Sequence, residues 1–336
     1  MSGLESQVAS GYRRAREVTR QHAKSFFFAS HLFFGQRRRG AFALYAFCRR
    51  LDDMVDVADG AQEGAVPEGL PERLEEARRA VAQVYQALPE LAVPDWAPVA
   101  ERAQGPGTGP WHPDEFAALV DCIRHYRIPE RPFQELISGM EMDLTKRRYT
   151  TSEELDLYCY RVAGVVGLMM APVLGCSDER ALEQAADLGR AMQLTNILRD
   201  VREDLERDRV YLASTELAAF GLSEEDLRRG VVDERWRGFM RYQIERARAY
   251  YARSAAGVPY LTGFGCQRVV RLMGAIYGDI LRVIEARDYD VFQARAYVPG
   301  TRKVAIAMTA LVRPGAVLPV ARAEGPGLLL STGAGP

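Results

Sequence analysis

The chain has 336 residues, with 44 Lys and Arg against 45 Asp and Glu, for a formal net charge of −1. A charge this close to zero supplies no global field for a nucleic acid or another polyanion. The five cysteines are odd in number, scattered and without a CxxC pair, which argues against a disulfide framework or a zinc site and suits a reducing compartment.

Helical periodicity runs through nearly the whole sequence, and strand-like alternation is almost absent. The start, "MSGLESQVASGYRRAREV", has no apolar h-region. No stretch reaches about 18 apolar residues, so no helix is expected to span a bilayer. A cytoplasmic protein is expected, with contact at the inner face of the membrane left open. Helices are expected at about 5–22, 36–60, 68–88, 113–127, 131–145, 152–173, 178–207, 223–229, 234–257, 266–289 and 300–312. "TTSEE" opens one of them with Thr151 as cap and Glu154 three residues on. The Pro- and Gly-rich segment of residues 89–112 reads as a surface loop with no assigned role. Residues 1–312 form one all-α domain on this reading, and 313–336 form a disordered tail.

Two of these helices carry acidic faces. Asp52 and Asp56 are i, i+4, with Asp53 about 100° around; Asp59, one turn further, has no assigned role and reads as a solvated helix end. Leu44, Phe47, Cys48, Leu51 and Val55 form a separate apolar stripe. In "QLTNILRDVREDLERDRVYL", Asp200 and Asp204 repeat the spacing, and Asn196 and Gln193 extend the stripe backwards. Both sets lie beside apolar residues, which points them into a cavity. Carboxylates facing each other there shift their pKa values strongly unless a cation intervenes. Mg²⁺ accepts one or two carboxylates plus substrate phosphate oxygens. Arg49, Arg50 and Arg199 stand close enough to neutralise the remainder. One such pair alone is usually a solvated face; two, each with a neighbouring Arg, argue for a metal–diphosphate site. The run Glu203, Glu206, Arg207 and Asp208 reads as charged surface.

"CRRLDDMVD" and "NILRDVREDLERDRVYL" resemble the paired aspartate-rich motifs of the squalene and phytoene synthases. "KSFFFAS", "GMEMDL", "YCYRVAGVVGLM" and "ARDYDVFQARAYV" match further segments of that family in the same order, over about residues 10–312. The resemblance is closest to bacterial phytoene synthases. It implies an isoprenoid synthase-type helical bundle around a central cavity. It also implies a Mg²⁺-dependent prenyltransferase (Mn²⁺ as a substitute) that joins two geranylgeranyl diphosphates through a cyclopropyl diphosphate to phytoene, in carotenoid biosynthesis, without NADPH. Carried over by position, Asp52, Asp53, Asp56, Asp200 and Asp204 hold the metal. Lys24, Ser25, Tyr45, Arg49, Gln193, Asn196 and Arg199 contact the substrate. Tyr158 faces the cavity as a catalytic group, and Tyr297 adds a substrate contact. Other carotenoid-pathway enzymes are possible partners, and "RVYLASTEL" departs from a commoner proline after the leucine.

Tyr160, Gly164, Gly167 and Ala171 form a stripe of mostly small residues that suits either an isoprenoid tunnel or close helix packing; the resemblance favours the tunnel. Phe26, Phe27, Phe28, Phe33 and Phe34 read first as core, with a tunnel mouth or membrane-facing patch as the alternative. The four histidines are isolated and read as ordinary surface or core residues. Three rivals remain: a dehydrosqualene or squalene-type synthase using farnesyl diphosphate, a non-catalytic assembly-factor-like relative, and a helical nucleic-acid binder. Intact aspartate pairs oppose the second, and the charge balance opposes the third.

Overall fold

The computed structural model describes residues 3–58, 69–87, 111–176 and 178–312. The side chains of 56–58 and 310–312 fall outside that description. Asp59, most of the expected loop of 89–112 (all but Trp111 and His112) and the expected tail of 313–336 also lie outside the described residues. Among the described residues the chain is helical throughout, and strand-like pairing is confined to two isolated bridges, Arg148 with Val210 and Cys176 with Leu261.

In chain order the helices are α1 (Gly3–His22), α2 (Lys24–Ala29), α3 (Gly35–Ala58), α4 (Leu70–Ala87), α5 (Pro113–Tyr126), α6 (Arg131–Thr145), α7 (Ser152–Cys159) and α8 (Val165–Val173). There follow α9 (Ala181–Arg199), α10 (Val201–Glu206), α11 (Ser214–Ala219), α12 (Glu224–Arg229), α13 (Glu234–Ala255), α14 (Cys266–Ala286) and α15 (Gly300–Val312). Local chemistry sets many ends. Thr151 accepts from the Glu154 amide at 3.3 Å, while the Glu154 carboxylate reaches back to the Thr150 amide at 2.7 Å, one residue earlier than a standard capping box. Ser223 and Asp226 form a full capping box on α12, and Gly230 at φ 64 ends it.

Three features depart from the periodicity. Short α2 and α11 were not expected, because six residues carry too little pattern to register. The expected helix over 178–207 breaks at Asp200, whose backbone (φ −103, ψ 14) leaves the helical region and separates α9 from α10. The run from Ser152 to Val173 is continuous but passes through a π-helical turn at Tyr160–Gly164.

The packing centres on α9, which lies against α13, α8, the π turn and α14. The contact with the π turn and α8 is backbone on backbone. A Cβ on Gly167 would stand 2.1 Å from the Ala185 carbonyl oxygen, and one on Gly189 would stand 2.1 Å from that of Ala163. Gly164 and Gly167 therefore serve helix packing, as the alternative reading of that stripe has it. On the other flank, α3 packs on α1, α5, α6 and α8. Phe47 anchors it, stacked 4.8 Å from Trp111 and edge-on to Phe133. The aromatic run divides: Phe33 is fully buried, Phe26 and Phe27 pack on Phe42 and Tyr45, and Phe28 and Phe34 are exposed.

Candidate active site

A cavity of about 610 Å³ lies between α2, α3, α8, α9 and α14. One end is polar, formed by Gln21, His22, Lys24, Ser25, Tyr45, Asp52, Gln193, Asn196 and Tyr277. The rest is mostly apolar, with Ala163, Val166, Gly167, Met170, Ala171 and Leu174 from one side of the lining and Leu188, Met192, Val269, Val270 and Met273 from α9 and α14, and with Gln184 and Ser254 as the polar exceptions. The glycines that bring α8 and α9 together also keep this wall thin, so Gly167 and Gly189 line the cavity as well as pack.

Helix geometry delivers the polar end. Tyr45, Cys48 and Asp52 follow i, i+3, i+7 along α3 and share the face that meets the cavity. Burial raises the Tyr45 hydroxyl above its ordinary range, with the Asp52 carboxylate adding to the shift and Arg49 opposing it. The same burial, with Asp52 nearby, keeps the Cys48 thiol protonated. Arg49 is ion-paired to Asp53 one turn on. Arg50, expected beside the site, stays 3.9 Å from Asp53 but makes its closer contacts elsewhere. Its guanidinium forks onto the buried Glu115 carboxylate at 3.0 and 2.8 Å, because an acid carried inward on α5 requires a cation. The backbone of Asp56 continues α3, and its side chain lies outside the described residues.

From α9, Gln193 and Asn196 face the cavity one turn apart. Asn196 Oδ1 is buried without a hydrogen-bond partner, an oxygen acceptor in need of a donor or a cation. At the helix break, Asp200 is gripped by two guanidinium groups. Arg199 Nε and a terminal nitrogen reach it at 2.6 and 2.5 Å, and Arg295 reaches it at 2.8 and 2.9 Å. Arg295, from the irregular segment after α14, also stands 3.5 Å from Glu203. Between the two motifs sits Tyr277 of α14. Burial raises its hydroxyl pKa; Arg199 and Arg295 oppose the shift, and Asp200 adds to it. On its other side Tyr277 is within electrostatic reach of Tyr45. It thus joins the α3 face to Asp200.

Asp204 keeps its i+4 relation to Asp200, donating its amide to the Asp200 carbonyl at 2.9 Å. Burial and, second, the Asp200 charge raise its carboxyl from 3.8 to about 7, against the pull of Arg209 and Arg207. Behind it lies a buried network. Asp143 accepts hydroxyl hydrogen bonds from Tyr158 and Tyr211, both at 3.0 Å, and the two rings stack 4.9 Å apart.

This network corrects the expected place of Tyr158. Its ring is buried and its hydroxyl belongs to Asp143, because a carboxylate this enclosed needs donors. It does not line the cavity. Tyr297 is also displaced from expectation. It is 66% exposed, since the extended backbone buries its neighbours Ala296 and Val298 and turns the residue between them outward. Tyr160 leaves the cavity wall at the π turn and lies under the Arg190 guanidinium at 4.8 Å.

Three residues escaped the sequence reading. Tyr277 was hidden in an apolar run, although it follows Val269, Val270 and Met273 onto one face of α14. Arg295 lies within "ARDYDVFQARAYV", a segment singled out above without a role for it. His22 was read as an ordinary residue, and it lines the polar mouth.

Among the described residues no three His, Cys, Asp or Glu side chains form a closed metal cage. Mg²⁺ completes its octahedron with water and substrate oxygens and binds one or two carboxylates. Of the expected ligands Asp52 lines the cavity, with the buried, unpartnered Asn196 oxygen also on its wall, and this donor chemistry fits such an ion; Asp204 faces a separate small pocket with Arg209, Tyr211 and Leu227.

The model of the family described as squalene/phytoene synthase matches residues 19–302. A 15-cis-phytoene synthase of Synechococcus elongatus is 37% identical, covering 92% of this chain and 94% of its own length. Phytoene synthase 3, chloroplastic, of Zea mays is 38% identical, covering 90% of this chain and 65% of its own. Among solved structures, a dehydrosqualene synthase in complex with ligand superposes with a TM-score of 0.75 at 26% identity, over 92% of this chain and 98% of that one. The squalene synthase HpnC from Alicyclobacillus acidocaldarius, at 23% identity, shares the fold with a TM-score of 0.69, over 84% of this chain and 96% of that one. Sequence, fold and cavity agree, and the chain belongs to the squalene/phytoene synthase family.

Proposed function

We propose that this chain is a Mg²⁺-dependent prenyltransferase that condenses two geranylgeranyl diphosphates into phytoene. The observation that carries the reading is one cavity with an aspartate-, lysine- and amide-lined mouth and a long apolar body. That shape and polarity suit a diphosphate with a long isoprenoid tail. The phytoene synthases among the relatives support the twenty-carbon substrate over the fifteen-carbon one.

In this reading Asp52, Asp53, Asp56, Asp200 and Asp204 hold the metal. Bound Mg²⁺, with Mn²⁺ as a substitute, supplies charge neutralisation to the leaving diphosphate. Lys24, Arg49 and Arg199 contribute fixed positive charge, and Ser25, Tyr45, Gln193 and Asn196 contribute hydrogen bonds that orient the diphosphate. Tyr277, Arg295 and His22 join them on geometric grounds. The C1–O bond of one substrate breaks, and its electron pair leaves with the diphosphate. The double bond of the second substrate attacks the allylic cation, and loss of a proton gives the cyclopropyl diphosphate. A second C–O cleavage, rearrangement and proton loss give the forty-carbon product. Two diphosphates and two protons balance the equation, so no hydride donor enters. Phe26 and Tyr45, paired 6.0 Å apart on the cavity wall, offer ring faces to the cationic intermediates.

Incubation of the purified chain with Mg²⁺ and either geranylgeranyl or farnesyl diphosphate, without NADPH, tests this. Phytoene from the twenty-carbon substrate is expected. Product from farnesyl diphosphate alone would overturn it in favour of a dehydrosqualene-type enzyme.

A further inference from the structure

We propose that the exposed pair Phe34 and Phe264, flanked by Arg37, Arg38 and Arg268, seats the apolar end of the cavity on an anionic lipid bilayer. The proposal rests on the reading of that cavity as an isoprenoid tunnel. Phe34 is 59% and Phe264 76% exposed, and their rings lie 6.3 Å apart although they come from opposite ends of the sequence. Isolated exposed apolar residues are ordinary; two large rings meeting in solvent are less so.

The position of the pair gives it meaning. Phe264 sits in the turn that follows Leu261, and Leu261 lines the cavity. That turn is fastened to the end of α8, with the Thr262 amide donating to the Gly175 carbonyl at 2.9 Å and the Gly263 amide donating to the Leu174 carbonyl at 3.2 Å. Leu174 and Cys176 line the cavity as well. Leu261 is buried and Thr262 is exposed, so one residue separates the tunnel interior from the surface. The same turn presses against the backbone before Phe34, where a Cβ on Gly265 would stand 1.8 Å from the Leu32 carbonyl oxygen. The aromatic pair is therefore attached to both walls of the apolar end.

Charge selects the partner. Residues 18–51 and 246–278, which supply both rings, contain no Asp or Glu in a chain that has 45 elsewhere. Arg38 lies over the Phe34 ring at 6.0 Å, and Arg37 donates to the Val173 carbonyl at 2.6 Å. Arg268 stands in the first turn of α14, four residues after Phe264. Among the described residues no carboxylate pairs with Arg37, Arg38 or Arg268, whereas most other arginines here are paired. Aromatic rings beside guanidinium groups that no described carboxylate neutralises match the interface of an anionic bilayer. No described helix is long and apolar enough to cross a membrane, so the contact is at the surface. A forty-carbon hydrocarbon released at this end would pass directly into acyl chains.

Flotation of the full chain with vesicles tests the proposal. Wild type is expected to bind phosphatidylglycerol-containing vesicles, to release them as salt rises and to bind pure phosphatidylcholine poorly. Phe34→Ser with Phe264→Ser is expected to weaken binding by about tenfold or more, and Arg38→Glu with Arg268→Glu by about tenfold. Both double variants are expected to retain wild-type melting and wild-type turnover in detergent micelles. Equal vesicle binding by wild type and variants would overturn the proposal. So would equal binding to neutral vesicles, or a dimer in sedimentation that Phe34→Ser with Phe264→Ser dissolves while no vesicle is bound. Absence of any prenyl product in micelles would instead overturn the functional reading, whatever the vesicles show.

Discussion

Asp204 offers the sharpest test of the proposed metal site, because one near-isosteric substitution removes its titration. Its carboxyl is raised from 3.8 to about 7, first by burial and then by Asp200. Between those values the folded chain holds a proton that the unfolded chain has released. The folded state then binds more protons, so stability falls as pH rises through this window and the full cost is present above about pH 7. At about 1.4 kcal/mol per pH unit, the difference sets an upper bound of about 4 kcal/mol. Partial exposure of the side chain reduces this to about 2 kcal/mol. Asp204→Asn removes the titration. Urea unfolding in EDTA should therefore show wild type and variant equal at pH 4 and below, with the variant more stable by about 2 kcal/mol at pH 8. Mg²⁺ with inorganic diphosphate should then raise the wild-type midpoint at pH 8 and leave that of the variant nearly unchanged. Identical pH dependence in the two proteins would refute the argument, as would equal stabilisation by Mg²⁺ and diphosphate.

Other side chains make separate demands. Asp52→Asn or Asp200→Asn should lower turnover by about a thousandfold, ~4 kcal/mol in the barrier, with little change in melting; near-normal rates in either would remove the metal assignment. Arg50→Ala should cost about 2 kcal/mol in urea unfolding, because Glu115 is then left with only Arg14 at 3.7 Å, and KM should stay within about twofold. Arg295→Ala should raise KM for the prenyl diphosphate while changing stability by under about 1 kcal/mol, since its side chain is half exposed. Gly189→Ala should destabilise by about 3 kcal/mol, because its Cβ would meet the Ala163 carbonyl oxygen at 2.1 Å. An unchanged unfolding midpoint would show that α9 and the π turn before α8 can separate at no cost.

The parts of this site legible in sequence are those that helical spacing alone determines. Asp52 and Tyr45 share a face of α3 because seven residues make two turns, and Gln193 and Asn196 share a face of α9 because three make nearly one. What could not be read depends on partners distant in the chain. Arg50 and Arg49 look equivalent until Glu115, 65 residues on, captures one of them. Tyr158 looks cavity-facing until Asp143 claims its hydroxyl. Tyr160 follows the spacing of Gly164 and Gly167, but the π turn adds a residue to that turn of helix and rotates it away. The Phe run offered core or surface as alternatives and supplies both, since α2 ends inside it and the following turn points successive rings in different directions.

The break at Asp200 connects these local facts to the chemistry. A straight helix over 178–207 would carry Asp200 and Asp204 along one uninterrupted line behind Asn196. The observed chain instead stops α9 at Arg199, whose guanidinium folds onto the next residue. Asp200 then sits at the turn, where Arg295 reaches it from the far end of the sequence and Tyr277 stands between it and Tyr45. Two guanidinium groups on one carboxylate offset the charge of the acidic cluster. They also present positive charge where a diphosphate would arrive. In the proposed reading a metal held by Asp200 and a diphosphate beside it would call on the same aspartate and the same two arginines that pair here, so the charge is balanced within one set of residues.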